Sequence, residues 1–517
     1  MSDNGRVSDI PGPVKPAVAE RLRHALVEID YTSAGVRDRL GNIAARALSR
    51  DELVPALRAT GGEEPLGLLL RLWWLGESVP AAPLRSALPL AELAEAGLVV
   101  PDPATDTLRA QVQVIPWEHA TTGHATTGTA EPADASQPAY LVADHSARPG
   151  QPPPAPNHVV RAGSASASLR DLLVPGPMDR ALDLGTGSGV QSLHLADRAA
   201  EVWATDVNAR ALRLAEWTFA LSGINSVHTR AGSLYEPVAG QQFDLIAANP
   251  PFVITPERAH YSYRESDLPG DEVCAEIVRA APAHLTDGGW CQLLANWLHV
   301  DGEDWQERVG SWVSGTACSG WVVQRDVQDP AEYVELWLRD SCEVGTADYT
   351  RRYDAWLDYF ERRGVKGIGY GWISLRKDSA ADATVRIEEL RHDVEQPVGS
   401  YLPDVVDGAM TAHRLTDAAL LSTHVTLAPG VVEERVGVPG AADPEHILLR
   451  QRGGLRRAAQ VGTVEAALAG VCDGTMPVGP LLDAIAELTG QDATALREST
   501  PETLRGLITE GFFRVSR

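Results

Sequence analysis

The chain has 517 residues, a formal net charge of −25 and a hydrophobic fraction of 44%. This length allows two to four domains, and the composition is typical of a folded globular protein rather than a disordered one. The acidic balance argues against a uniformly basic nucleic-acid binder, although a local basic patch is compatible with it.

The cysteines and the apolar segments bear on the cellular compartment. The five cysteines are scattered and form no C-x-x-C pair, which argues against structural disulfides and a zinc cluster. The N-terminus lacks the apolar core of a signal peptide, and the apolar stretch Leu66–Leu75 contains Arg71 and is too short to span a bilayer. We therefore expect a cytoplasmic protein with no metal and no membrane partner.

Residues 1–155 are predicted to form a helical N-terminal domain. Helical spacing runs through residues 17–60, a buried helix covers Leu66–Leu75, and short helices follow up to residue 96. Leu108–Ile115 alternates apolar and polar residues, which predicts a strand. Helices followed by a hairpin resemble a winged helix, a unit that binds DNA or serves as a protein-contact module.

The segment between residues 117 and 157 separates two domains. It repeats the pentapeptide HATTG and then runs through the proline-rich stretch QPPPAP. Its two repeat histidines lie in a Thr/Gly loop without further metal ligands, so we interpret the segment as a solvated insertion. We place the domain boundary at residue 155.

From Arg180 the pattern alternates between strands and helices, as it does in a doubly wound, mostly parallel sheet. This predicts an α/β domain over residues 156–380. The predicted strands are Ala181–Leu184, Glu201–Thr205, Val227–Arg230, Leu245–Ala248, Trp290–Ala295, Gly320–Gln324 and Ile368–Leu375. The predicted helices are Val190–Arg198, Ala209–Ser222 and Asp271–His284.

A third domain is expected over residues 381–517. Amphipathic helices over Thr463–Val471 and Val478–Thr489, followed by Pro501–Thr509 and Phe512–Val515, again resemble a winged helix. The preceding basic cluster is either a phosphate contact or a solvated face that pairs with local carboxylates. It consists of Arg450, Arg452, Arg456 and Arg457.

A glycine-rich turn follows the first predicted strand, where the sequence reads Asp-Leu-Gly-Thr-Gly-Ser-Gly over residues 183–189. Glycines let the backbone turn tightly and approach a ligand without Cβ clashes, and the following helix offers N–H groups to an anion. Asp206, at the tip of the second strand, follows Gly189 by 17 residues and can accept both hydroxyls of a ribose. This pattern predicts an adenosine-type cofactor but does not separate S-adenosylmethionine (SAM) from NAD.

A second motif, Asn-Pro-Pro-Phe, occupies residues 249–252 at the end of the fourth strand. The Asn249 side-chain oxygen and the Pro250 carbonyl can each accept an N–H from an aryl amine or amide. Two such bonds orient the poorly nucleophilic nitrogen toward a methyl donor, while Pro251 stiffens the loop and Phe252 stacks on a planar target. These residue types predict N-methyl transfer in which Asn249, Pro250 and Phe252 are catalytic.

The two motifs in this order resemble the class I SAM-dependent methyltransferases that carry an Asn/Asp-Pro-Pro-aromatic motif. That group includes HemK-type glutamine methyltransferases, adenine-N6 methyltransferases and ribosomal RNA guanine-N2 methyltransferases, and the resemblance covers residues 158–300. At the position of Phe252, phenylalanine is more usual in the guanine-N2 group, whereas HemK-type enzymes usually carry tyrosine. Many methyltransferases have an acid for the adenine amine where this chain has Ser233. The motif and the resemblance give the predicted cofactor residues Asp183, Gly185, Thr186, Gly187, Gly189, Asp206 and Ser233.

Two further segments are predicted to lie near the site. Residues 261–271 should overhang it and supply substrate contacts, whereas residues 158–168 precede the first strand and should cover the cofactor. The predicted substrate contacts are Tyr261, Tyr263, Arg264 and Asp267.

The favoured hypothesis is SAM-dependent methylation of a planar nitrogen in a macromolecule, with an RNA base ahead of protein glutamine. The large flanking regions favour a large substrate. Natural-product N-methylation, a non-catalytic SAM-binding regulator and an NAD-dependent dehydrogenase are the alternatives.

Overall fold

The computed structural model describes ten stretches of the chain. These are residues 10–50, 52–118, 138–146, 154–251, 253–256, 268–340, 345–346, 348–378, 383–439 and 444–515. The predicted catalytic residue Phe252 and the predicted substrate contacts Tyr261, Tyr263, Arg264 and Asp267 lie outside the described residues.

The first described elements are helices, because leucine and alanine recur there at intervals that place them on one helical face. The elements are α1 Pro16–Glu28, α2 Ser33–Leu48, α3 Val54–Ala59, α4 Pro65–Leu69 with a π-helical turn to Trp74, β1 Val79–Pro80, α5 Leu90–Glu95, β2 Val99–Asp102 and β3 Thr107–Ala110. The three strands pair in the order β1-β3-β2. The winged-helix assignment of this region stays a prediction.

The strand predicted over Leu108–Ile115 is divided into two. Its second half belongs to β4 (Gln113–Trp117), which pairs with β5 (Ala139–Ala143) in a separate two-stranded sheet. Consecutive residues of both β4 and β5 are buried, so apolar groups cover both faces of this hairpin. Alternation in the sequence could not reveal the break because the change of sheet depends on long-range packing.

The central domain is built on an eight-stranded sheet flanked by helices. Its elements are α6 Ser164–Leu172, β6 Met178–Leu184, α7 Val190–Ala196, β7 Ala199–Asp206, α8 Ala209–Leu221, β8 Val227–Ala231, β9 Phe243–Ala248, α9 Glu272–Ala280, β10 Leu285–Val300, α10 Trp305–Val313, β11 Cys318–Gln328, α11 Pro330–Asp340, α12 Tyr349–Arg362, β12 Val365–Lys377 and β13 Val385–Glu389. The strand order is β13-β11-β12-β10-β9-β6-β7-β8. Strands β6 to β10 are parallel, and β12 runs antiparallel to both of its neighbours.

All seven predicted strands and the three predicted helices of this region are confirmed as elements, and the doubly wound sheet with them. Strand β13 pairs with β11 and extends the sheet to Glu389, past the boundary expected at residue 380, and the division into three domains stays a prediction. This strand reads Val-Arg-Ile-Glu-Glu and is only partly buried at the sheet edge. An edge strand needs no apolar face on both sides, so hydrophobic periodicity does not mark it.

Helix α8 joins the N-terminal region to the central sheet. The indole N–H of Trp217 donates to the Gly12 carbonyl at 3.2 Å. The β5 backbone N–H groups of Val142 and Tyr140 donate to the hydroxyls of Thr218 and Ser222 at 2.8 and 3.0 Å. The first helices, the β4–β5 hairpin and α8 therefore share one hydrophobic core.

The remaining chain forms a C-terminal unit. Its elements are α13 Leu402–Arg414, α14 Asp417–Leu421, β14 His424–Leu427, β15 Val431–Val436, β16 His446–Gln451, β17 Ala458–Val461, α15 Thr463–Val471, β18 Asp473–Pro477, α16 Val478–Thr489, α17 Ala493–Thr509 and β19 Phe513–Val515. The strands form two sheets, in the orders β18-β14-β19 and β15-β16-β17. Here too the winged-helix assignment stays a prediction.

Two searches of the described stretches were negative. None of their helices is long and apolar enough to cross a bilayer. In the same stretches, no group of three or more His, Cys, Asp or Glu side chains is arranged to hold a metal ion.

Candidate active site

The two sequence motifs meet because the strands that carry them are neighbours in register. Leu184 at the end of β6 pairs with Ala248 of β9 on one side and with Thr205 of β7 on the other. Gly185 and Asn249 therefore leave the same edge of the sheet on adjacent strands. In parallel α/β sheets this carboxyl edge is where ligands bind.

The three glycines of the turn have different roles. All adopt the left-handed region, with φ of 78° at Gly185, 55° at Gly187 and 89° at Gly189. A Cβ added at either of the first two would meet no atom within 4 Å, whereas one at Gly189 would lie 2.8 Å from the Phe219 ring. Gly185 and Gly187 thus keep space open, while Gly189 allows α7 to pack against α8.

The N–H groups of this turn are largely used within the protein. Those of Gly185 and Thr186 both donate to the Thr205 carbonyl at 2.9 Å. The Gly187 N–H donates to Asp206 Oδ2 at 2.9 Å. The turn therefore offers a bound molecule open space more than it offers hydrogen-bond donors.

The Asp183 carboxylate stabilises the glycine-rich turn through hydrogen bonds. Its Oδ2 accepts hydrogen bonds from the Thr186 hydroxyl at 2.7 Å and from the Ser192 N–H and hydroxyl at 2.9 and 2.7 Å. Burial raises the pKa of Asp183 to about 6, although these hydrogen bonds oppose the shift. We interpret Asp183 as a group that shapes the turn.

Asp206 lines the same site. Its Oδ1 accepts the Asn208 N–H at 2.8 Å, in addition to the bond from Gly187 at Oδ2. Burial raises the pKa of Asp206, and the backbone N–H donors counteract part of that effect. Each carboxylate oxygen has two lone pairs, so both oxygens keep an acceptor position for a ligand hydroxyl.

One cavity of about 570 Å³ joins these groups. This size is ordinary for a small-molecule or cofactor site. Of the residues predicted from the sequence, its lining includes Asp183, Gly185, Thr186, Gly187, Asp206, Ser233, Asn249 and Pro250. Gly189 is not in the lining. The structure adds Val273, Glu276 and Ile277, which no motif had indicated, and Leu268, which lies in the segment predicted to overhang the site.

The segment before the first strand of the central sheet forms another wall of the cavity. Residues 158–162 and Ser166 line it, in the region that the sequence predicted would cover the cofactor. The Asn208 side chain, which also accepts a hydrogen bond at the start of α8, donates to the Asn157 carbonyl at 3.0 Å.

A buried ion pair fastens this wall. Asp144 Oδ2 accepts the Val159 N–H at 2.8 Å and the Arg210 Nε at 3.0 Å. The side chains of Asp144 and Arg210 are only 10% and 13% exposed. This pair could not be predicted from the sequence, because 66 residues separate its members and neither belongs to a motif.

The basic cluster is partly neutralised by carboxylates. Arg457 is buried and donates to both carboxylate oxygens of Glu388, and Arg450 donates to Glu434 at 2.8 Å. Arg452 and Arg456 are exposed. For two of the four arginines, the structure therefore favours the interpretation as ion pairs within the protein.

Known proteins resemble two parts of this chain. Residues 163–303 match the family model "Methyltransferase small domain", and residues 28–111 match "Domain of unknown function (DUF7059)". A release factor glutamine methyltransferase from Xylella fastidiosa is 36% identical over 130 residues, which cover 23% of this chain and 47% of that protein. A ribosomal RNA small subunit methyltransferase C from Salmonella arizonae is 31% identical over 133 residues, which cover 25% and 35% of the two chains.

A solved methyltransferase from Pyrococcus furiosus has 17% sequence identity and a TM-score of 0.25, and the match covers 42% of this chain and 82% of that one. This chain spans half or less of the length of these two curated relatives. The match over residues 163–303 and the mostly parallel strand order make the central domain similar to class I methyltransferase domains. Within that class, it is similar to enzymes named for glutamine in a release factor and for ribosomal RNA.

Proposed function

We propose that this protein is a cytoplasmic SAM-dependent N-methyltransferase that modifies a planar nitrogen in a macromolecule. The observation that carries the proposal is the shared cavity. Asn249 and Pro250 line the same space as Gly185, Gly187 and Asp206, because their strands end in register. A cofactor held by the second set of residues would therefore face a substrate held by the first.

The residues of the cavity fit SAM. Gly185 and Gly187 leave room that any side chain would fill, and Asp206 has acceptor positions suited to ribose hydroxyls. Val273 and Ile277 line the same cavity as Ser233 and offer an apolar surface for a planar base. When bound, SAM supplies a methyl group on a sulfonium centre.

The chain itself positions the acceptor nitrogen. Asn249 Oδ1 and the Pro250 carbonyl would each accept an N–H of the target group, which fixes the direction of its lone pair. Holding two reactants in line replaces a bimolecular encounter with an oriented one, and no strong base is required for this. The N–H acceptors restrict the target to a nitrogen that carries hydrogen.

We favour a nucleobase of RNA as the target. The Asn-Pro-Pro-Phe motif resembles that of guanine-N2 methyltransferases, and one relative is named for ribosomal RNA. A base in a folded RNA would have to be unstacked before it could reach Asn249. The exposed Arg452 and Arg456 are candidate phosphate contacts.

Protein glutamine is the second candidate. Its support is the 36% identity with a release factor glutamine methyltransferase. The net charge of −25 also disfavours a phosphate backbone as a partner. A glutamine amide presents the same planar, hydrogen-bearing nitrogen to Asn249 and Pro250.

Transfer of a labelled methyl group tests the proposal and separates the two candidates. The full-length protein is incubated with methyl-labelled SAM and with extract from cells lacking its gene, and the product is digested with RNase or with protease. We expect label that RNase releases. Label released only by protease would favour the protein candidate over RNA, and no macromolecular label would contradict the proposal.

The variant Asn249→Ala tests the catalytic assignment. We expect it to bind SAM normally and to transfer methyl roughly 100-fold more slowly, which is typical when one positioned hydrogen-bonding group is lost. Calorimetry and the label assay measure the two effects. Asn42→Ala, an exposed residue of α2, is the matched control. Wild-type turnover by Asn249→Ala would refute the role of Asn249.

A further inference from the structure

The segment that follows the Asn-Pro-Pro motif is held by a helical hairpin. Helices α11 and α12 are inserted between the antiparallel strands β11 and β12. The Tyr333 hydroxyl of α11 accepts the Ile254 backbone N–H at 2.8 Å, in a bond that is fully buried. Tyr333 is 79 residues from Ile254 along the chain, so only the fold brings them together.

The surroundings of Tyr333 hold its ring in one orientation. It packs against the rings of Trp356 and Phe360, with centroid distances of 6.0 and 5.8 Å. Val253 and Ile254 belong to the same buried cluster. Aromatic packing of this kind leaves the hydroxyl little freedom to leave its partner.

The hydroxyl also faces the central sheet. Asn296 of β10 is fully buried, and its Nδ2 lies 3.5 Å from the Tyr333 oxygen. Strand β10 is the neighbour of β9, which carries Asn249 at its end. Tyr333 therefore lies between the loop and the strand next to it.

The loop that begins at Asn249 is held at two points that are close together in the sequence. At one end, Asn249 directly follows β9, and at the other, Ile254 is fixed by Tyr333. Pro250 and Pro251 lie between them, and each proline ring restricts φ to a narrow range. With β9 holding Asn249 and Tyr333 holding Ile254, the restricted φ of the two prolines limits how far Asn249 and Pro250 can shift.

We propose that Tyr333 is a positioning residue that sets the orientation of Asn249 and Pro250 toward the acceptor nitrogen. This inference rests on the proposed methyl transfer. It also gives a function to the α11–α12 hairpin, which anchors the catalytic loop from outside the cofactor site. A residue that merely filled the core would support stability without affecting the rate of transfer.

The variant Tyr333→Phe removes the hydroxyl and keeps the ring. We expect the initial rate of methyl transfer at saturating SAM to fall about tenfold, which corresponds to about 1.4 kcal/mol, near the value of one hydrogen bond. The dissociation constant for SAM should stay within twofold of wild type. Hydrogen exchange should become faster in a peptide that covers residues 245–256.

Tyr370→Phe is the matched control. Tyr370 belongs to the same aromatic cluster, at 6.1 Å from the Tyr333 ring, but its hydroxyl donates to Gln328 at 3.1 Å. We expect this variant to leave transfer and loop exchange unchanged.

The outcomes separate the two proposals. Unchanged transfer in Tyr333→Phe would overturn the positioning role, as would an equal loss in both variants. Faster exchange in Tyr333→Phe without any transfer by the wild-type protein would support the tether and contradict the proposed function. Unchanged exchange in Tyr333→Phe would overturn the tether itself.

Discussion

At the residue scale, the site separates side chains that face the cavity from those that hold it in shape. Asp183, Asp206 and Asn249 all line the cavity, but Asp183 Oδ2 also accepts hydrogen bonds from Thr186 and Ser192. The sequence grouped Asp183 with the cofactor residues because it belongs to the same motif. Its burial and its three hydrogen bonds indicate that it also shapes the turn, and its role toward the cofactor stays a prediction.

The glycine turn gives a prediction at this scale. Gly187→Ala places a methyl group in the open space that we propose for the cofactor, so we expect the dissociation constant for SAM to rise at least roughly tenfold. The strain of an alanine at positive φ should cost on the order of 1 kcal/mol of unfolding free energy. Calorimetry and thermal unfolding measure the two effects.

Gly240→Ala is the control for backbone strain. Gly240 has a φ of 74° and open space around its Cβ position, but it does not line the cavity. It should lose similar stability and bind SAM normally. Equal SAM affinity in both variants would contradict the location of the cofactor beside Gly187.

At the element scale, helix α8 connects the cofactor cavity with the N-terminal region. Its N-cap residue Asn208 and Arg210 in its first turn hold the cavity wall. Its later residues Trp217 and Thr218 contact the N-terminal region. A periodic pattern predicts that α8 exists but not which partners its faces meet. Those partners come from segments distant in sequence.

The ion pair of Arg210 and Asp144 gives the second prediction. Arg210→Met leaves the Asp144 carboxylate buried without its cation, which should cost roughly 3–5 kcal/mol of unfolding free energy. Because Asp144 also holds Val159 in the cavity wall, SAM should bind more weakly. Denaturant unfolding and calorimetry measure both effects.

Arg213→Met is the matched control on the same helix. Arg213 pairs with Glu216 at 3.0 Å in a more exposed position, so its loss should change stability by less than about 1 kcal/mol. If Arg210→Met changed stability as little as Arg213→Met, the ion pair of Arg210 and Asp144 would not be needed to hold the cavity wall.

At the scale of the whole molecule, a polar network joins the edge of the central sheet to the C-terminal unit. Glu388 of β13 accepts hydrogen bonds from Arg457 and from Arg386, and Arg386 also donates to the Thr509 carbonyl at 3.0 Å. Burial alone would raise the pKa of Glu388, but the two arginines outweigh it and hold the value at about 2.

This network predicts a pH dependence of stability. Because the folded pKa lies below the ordinary value of 4.5, the stabilisation is present above pH 4.5 and is lost as the pH falls toward 2. In Arg457→Met we expect a lower melting temperature at neutral pH and a smaller loss between pH 4.5 and 3. Thermal unfolding across this range measures both effects, with the exposed Arg452→Met as control. Parallel pH profiles for wild type and Arg457→Met would contradict the assignment.

The sequence by itself determined the central sheet and the position of its two motifs. Hydrophobic periodicity and glycine turns are local signals. The seven strands could therefore be predicted, together with the positions of Asp206 and Asn249 at strand ends. Adjacent parallel strands end at one edge, which was enough to predict that the motifs meet. The sequences of the N-terminal and C-terminal regions were less informative about their folds, because helices and short strands of this kind occur in many small domains.

Only the tertiary structure decided which distant groups complete the site. The Asp144–Arg210 pair, the edge strand β13 and the Tyr333 tether depend on contacts between segments far apart in the chain. Each involves residue types that are common and carry no periodic signal. They matter because they are buried, and removing a buried ion pair or hydrogen bond costs more unfolding free energy than removing an exposed one. Burial is a property of the folded chain.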